Sequence, residues 1–122
     1  MANEITLAKE QFRDVLVAAG LDCVEYIPER VIPPLVVINS GSPFITADTV
    51  LNGYAMNLEL VLIAGTATNE FATEQLENLI QDVLRALPNY AVLSNVEKPF
   101  ALAINNSEYL SCNVNVEISI TI

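Results

Sequence analysis

The chain has no histidine and, among 122 residues, only five basic side chains and two cysteines. Each shortage removes a class of function. Without imidazole there is no general base tuned near neutral pH and no neutral nitrogen ligand for a metal. Ser40, Ser42 and Ser111 thus have nothing to take their proton, and no lysine lies close to them in sequence. The cations Lys9, Arg13, Arg30, Arg85 and Lys98 are scattered singly, so no basic patch exists to neutralise nucleic-acid phosphates. Cys23 and Cys112 are too far apart to read as a metal pair. Both sit in strand-like stretches and read as buried free thiols of a reducing compartment. No apolar run reaches the ~18 residues that suggest a membrane span. The opening "MANEITLAKEQF" has no basic region leading into an apolar core, so no secretory signal is expected.

What is present is apolar and acidic. Apolar residues make up 52 % of the chain and charged residues 16 %, with a net charge of −10. A chain of this length reads as one domain, residues 1–122, burying about two-thirds of its unfolded surface. So much apolar area with so little charge points to interfaces as well as a core, hence to self-association. The acidity serves solubility, or a surface that lies near DNA without holding it. "NSGSP" (39–43) lacks the Gly-Lys-Ser/Thr ending of a phosphate-cradling loop and precedes no helix. Glu70, Glu74 and Glu77 are spaced as helical neighbours, the pattern of a solvated helix face. The four tyrosines and four phenylalanines form no stripe interleaved with cations on which bases would stack. The expectation is a protein that is not an enzyme, with no cofactor and no metal.

Periodicity orders the elements. Ala8, Phe12, Val15, Leu16 and Ala19 fall at helical spacing over residues 6–19, with Thr6 as N-cap and Gly20 as the stop. "DCVEYIP" (22–28) reads as a short strand, "ERVIPP" as an extended connector, and "LVVINS" (35–40) as a strand buried on both faces. "GSPFITADTVLNG" (41–53) has the chemistry of a loop. In "YAMNLELVLIA" (54–64), Tyr54, Met56, Leu58, Leu60 and Leu62 alternate as in a strand. A second helix follows Asn69 as cap, with Phe71, Leu76, Leu79, Ile80, Val83, Leu84 and Leu87 on one stripe, Arg85 in its last turn and Pro88 beyond. "NYAVLSNVEKP" leads to the strand "FALAI" (100–104), the turn "NNSE" (105–108) and a final strand. The class is α+β: a largely antiparallel sheet, two helices packed on one face, and a long C-terminal strand.

Two stretches point to assembly. From Leu110 to Ile122 apolar and polar residues alternate without a fault, about 43 Å of strand at ~3.3 Å per residue. Apart from Glu117 its polar face, with Asn113 and Asn115, is uncharged, and no lysine or proline guards it as edges usually are guarded. The segment 41–53 carries Pro43, Phe44, Ile45, Val50 and Leu51 on what reads as an exposed loop. These eight residues are the candidate contacts with another subunit or with a tube.

The order of elements, "PPLVVINSGSPF", "LPNYAVLSNV" and the closing "YLSCNVNVEISITI" together resemble the tail terminator (tail completion) proteins of long-tailed bacteriophages, over nearly the whole chain. That family has no catalytic residues to carry over. The resemblance implies a ring, usually of six subunits, that caps the tail tube, ends its polymerisation and offers a surface to the head connector. DNA would pass through the ring without specific binding. The implied location is the tail or neck of the virion, assembled in the host cytoplasm, with no membrane. A neck, head–tail joining or minor tail protein is the nearest alternative. A small acidic ligand-binding or regulatory domain is the alternative of another class.

Overall fold

The structure, a computed structural model, describes residues 3–47, 53–66 and 70–121. In chain order the elements are α1 (Glu4–Ala18), β1 (Cys23–Val24), β2 (Leu35–Ala47), β3 (Gly53–Thr66), α2 (Glu70–Ala86), β4 (Ala91–Val96), β5 (Phe100–Ile104) and β6 (Ser107–Thr121). All six strands form one sheet in the order β1-β2-β3-β6-β4, with β5 also paired to β6. Every pairing is antiparallel except the short β1–β2 contact.

Helix termini follow local chemistry. α1 starts one turn earlier than its periodicity suggests, because the Asn3 side chain accepts the Thr6 backbone N–H at 2.7 Å. Thr6 is therefore inside the helix, and Asn3 is the cap. At the other end Gly20 sits at φ +93°, its N–H on Val17 O, while Leu21 N–H reaches Leu16 O. This closes α1 with a Schellman turn and returns Leu21 to the core. The proposed cap of α2, Asn69, lies outside the described residues. In that helix Ala72, Leu76, Leu79 and Val83 are buried, whereas Phe71 is 71 % exposed. The buried set runs at spacings of four, three and four residues, so the stripe passes through Ala72. Phe71 lies about 100° around the helix from it.

The two helices cover one face of the sheet. Phe12, Leu16, Leu76, Leu79 and Val83 meet Val36, Ile38, Met56, Leu58, Leu60, Leu62, Cys112, Val114, Val116 and Ile118 in the main core. On the opposite face a smaller core lies at one end only, with Leu35, Val37, Val61 and Ile63 under Val24, Val31, Leu102, Ile104 and Tyr109. This second layer explains why Leu35, Val36, Val37 and Ile38 are all buried in succession. Residues 25–34 form a strap that adds Val31 to it. Its start is tied to α1 by Arg13–Glu25 at 3.0 Å, and further along Asn105 Nδ2 donates to Glu29 O.

Two expectations are corrected here. Residues 41–47 are strand, since β2 runs on to Ala47 through a wide bulge in which 41–44 oppose Asn57 alone. Gly41 fits because a Cβ there would lie 2.9 Å from Asn57 O, and Asn57 Nδ2 donates to Pro43 O at 2.8 Å. The long terminal strand is not a free edge. β6 is flanked by β3 from Ser111 to Thr121, and on its other side by β4 and then β5 in tandem. Its length follows from being central, so it is not the unguarded edge that its uncharged polar face suggested.

Candidate functional site

Among the described residues open backbone edges belong instead to β4 and β5, which lie end to end along β6, and to β2 beyond Val37, where its pairing with β1 stops. Sequence reading passed over β4 because "AVLSNV" lacks clean alternation. A bulge between Leu93 and Asn95 puts both Leu93 and Val96 on the helix side, beside Val116 and Val114. The helices pack mainly on β3 and β6 and stop short of them. As a result Leu93 and Val96 keep 41 % and 37 % of their surface exposed, while Val114 and Val116 are buried. On the other face Val92 is 62 % exposed, and Tyr90 and Phe100 extend the same apolar edge. Neither β4 nor β5 contains an ionisable side chain.

A second apolar surface lies at the opposite end of the strand order, beside β1. Tyr26, Ile27 and Ile32 of the strap project outward, together with Val17 of α1. Among them is an open groove of about 410 Å³ whose walls include Val17, Leu21, Pro28, Ile32 and Leu35. Arg30 is its only cation. Cys23 at the groove is 8 % exposed, and burial pushes its thiol up to about 12. Cys112 is also buried and shifted upward by desolvation, and its S–H donates to Glu97 O at 2.9 Å. Both thiols are free and held protonated, the state in which sulfur is unreactive.

The helix-free face carries a polar trough of about 350 Å³ between the bulge of β2 and the middle of β4. Asn57, Glu59, Asn95, Glu97 and Asn115 line it, with no lysine or arginine among its walls. Asn115 Nδ2 donates to Asn95 Oδ1 at 2.7 Å across the β6–β4 pair. Compared with models of known protein families and with curated protein sequences, the chain matches none. The reading of the site therefore rests on its geometry.

The eight candidate contact residues separate into three groups. Asn113, Asn115 and Glu117 lie half-exposed on the helix-free face, together. Pro43 is exposed in the bulge, but Phe44 and Ile45 are half-buried and pack on the main core. A charge at Phe44 would therefore damage the fold itself. Val50 and Leu51 lie outside the described residues. The residues that sequence reasoning missed are those of 90–100 and of the strap. Their signal was local: "YAVLSNV" and "VEYIPERVIPP" are apolar without the period of a half-buried element. Among the described residues no helix is long and apolar enough to cross a membrane.

Proposed function

We propose that this chain is a structural subunit of a long-tailed phage virion, assembling as a ring that caps the tail tube, ends tube polymerisation and joins the tail to the head connector. The observation that carries the assembly part is the placement of the exposed apolar side chains. Among the described residues most of them gather in two unlike patches, along β4 and on the strap beside β1, while Leu7 and Phe71 stand apart on the helices. The tail part draws on the resemblance set out above, with which the α+β fold and its helix-covered sheet agree. The cation-free trough suits a wall past which DNA slides, since like charge lowers local affinity for phosphate.

The test is native mass by light scattering together with negative-stain microscopy of tail tubes grown with and without the protein. The reading expects a closed assembly of about six copies, or its formation at tube ends, and tubes of limited length. A chain that stays monomeric and leaves tube length unchanged overturns it. The open apolar groove supports one other reading, a small acidic ligand-binding domain. That reading expects a monomer in which an apolar fluorescent dye bound at the groove is lost on Ile32→Asp substitution.

A further inference from the structure

We infer that copies of this chain associate head to tail, the β4–β5 edge of one seating against the strap and groove at the β1 edge of the next. The inference rests on the assembly part of the reading above and is independent of any tail.

Four observations converge on a second copy as the occupant. First, β4 presents an unpaired outer backbone edge, and a neighbouring chain is the natural partner for such a row of N–H and C=O groups. Second, that edge and the strap each expose large apolar residues: Tyr90, Val92, Leu93, Val96 and Phe100 on one, Tyr26, Ile27 and Ile32 on the other. Third, β4 and β5 carry no ionisable side chain, so the edge brings no carboxylate of its own to a seat that holds Asp22, Glu25 and Glu29. Fourth, the charges that do flank the patches are reciprocal. Glu97–Lys98 joins β4 to β5, and Glu29–Arg30 sits in the strap; all four are exposed. Neither Lys98 nor Arg30 has a carboxylate partner among the described residues. Set against one another in opposite directions, the pairs bring Lys98 to Glu29 and Arg30 to Glu97. Such rim pairs set register and choice of partner more than affinity.

β4 and the strap are different surfaces at opposite ends of the strand order, although the far end of β5 packs back on the strap of its own chain, so a contact between β4 and the strap is heterologous. A heterologous contact repeats from copy to copy and generates a ring where its rotation closes. An isologous dimer through β4 alone would leave the strap and its groove uncovered.

Two exposed substitutions test this, Val92→Asp on the edge and Ile32→Asp on the strap, each checked for wild-type melting. Native mass is measured for each alone and for their equimolar mixture. Each alone raises the dissociation constant of self-association by about 30-fold or more, the loss expected at an interface hot spot. Mixed, each supplies the patch that the other lacks, so the mixture forms a strict heterodimer of twice the 13.3 kDa chain mass. If Ile32→Asp assembles like wild type while Val92→Asp does not, the contact is edge to edge and the inference is overturned. It is also overturned if wild-type protein is monomeric throughout. In that case tube capping by the monomer would leave the tail reading standing, while uncapped tubes would remove both. Phe100→Ser and Ile27→Ser, which remove apolar area without adding charge, repeat the mixture experiment should either aspartate lower the melting point.

Discussion

Replacing Gly41 with alanine isolates the least forgiving contact in the fold. The added Cβ would sit 2.9 Å from Asn57 O, 3.0 Å from its carbonyl carbon and 3.0 Å from its Cβ. Two of these are backbone atoms of β3, which is held on its other side by β6 along the whole ladder. No side-chain rotation relieves the clash, so the β2 bulge must lift from β3, straining the Asn57–Pro43 hydrogen bond at 2.8 Å. Overpacking of this kind costs about 1–3 kcal/mol, and the backbone contact places Gly41→Ala near the top of that range. At roughly 4 °C per kcal/mol for a chain of this size, melting falls by about 8–12 °C. Gly20→Ala is the control. Its φ is +93° but nothing lies within 4 Å, so only the left-handed conformation is penalised, about 1 kcal/mol or ~4 °C. Thermal unfolding followed by circular dichroism, at dilution where self-association is absent, measures both. If Gly41→Ala melts within about 2 °C of wild type, or no lower than Gly20→Ala, the tight β2–β3 approach is wrong.

Other substitutions probe single contacts. Asn3→Ala removes the α1 cap and is expected to cost about 1 kcal/mol in urea unfolding. Ser111→Ala is expected to raise stability by up to ~1 kcal/mol, because the Ser111 hydroxyl is fully buried and unpartnered among the described residues; a loss in the same assay would reveal a hidden partner. Cys23 binds its proton more tightly folded, at about 12, than at its ordinary value of 9.0, so stability declines as pH rises between those values. The decline has a slope of at most ~1.4 kcal/mol per pH unit for one proton, and Cys23→Ala should flatten it in urea titrations at pH 9–11. Asn115→Lys with Glu117→Lys should create salt-sensitive binding of a duplex oligonucleotide in fluorescence anisotropy, where wild type gives none.

The regular elements were legible because burial there follows one period. Every second residue of β6 from Cys112 to Ile120 is in the main core, as are Met56, Leu58, Leu60 and Leu62 of β3. Failures occur where a second physical demand competes with period. Phe71 looks like core by size, yet the stripe selects Ala72 by angle. "GSPFITA" looks like a loop by composition, yet glycine and proline there build a bulge and the strand continues. β4 was missed because a bulge and a missing helical cover leave its apolar residues neither alternating nor buried. The stretch 22–28 reads as a strand, yet β1 ends at Val24 and leaves Tyr26 and Ile27 exposed on the strap.

A period in the sequence records which side chains share a face of a helix or strand, and in β3 and β6 that face lies in the main core. A stretch that is apolar without a period has no single face that the fold buries. Residues 90–100 and 26–32 have this character, apolar composition without alternation. The terminal strand has the opposite one, perfect alternation, and it is paired on both sides over most of its length. In this protein clean alternation marks the strand paired on both sides over most of its length, and the irregular apolar stretches are the ones left exposed.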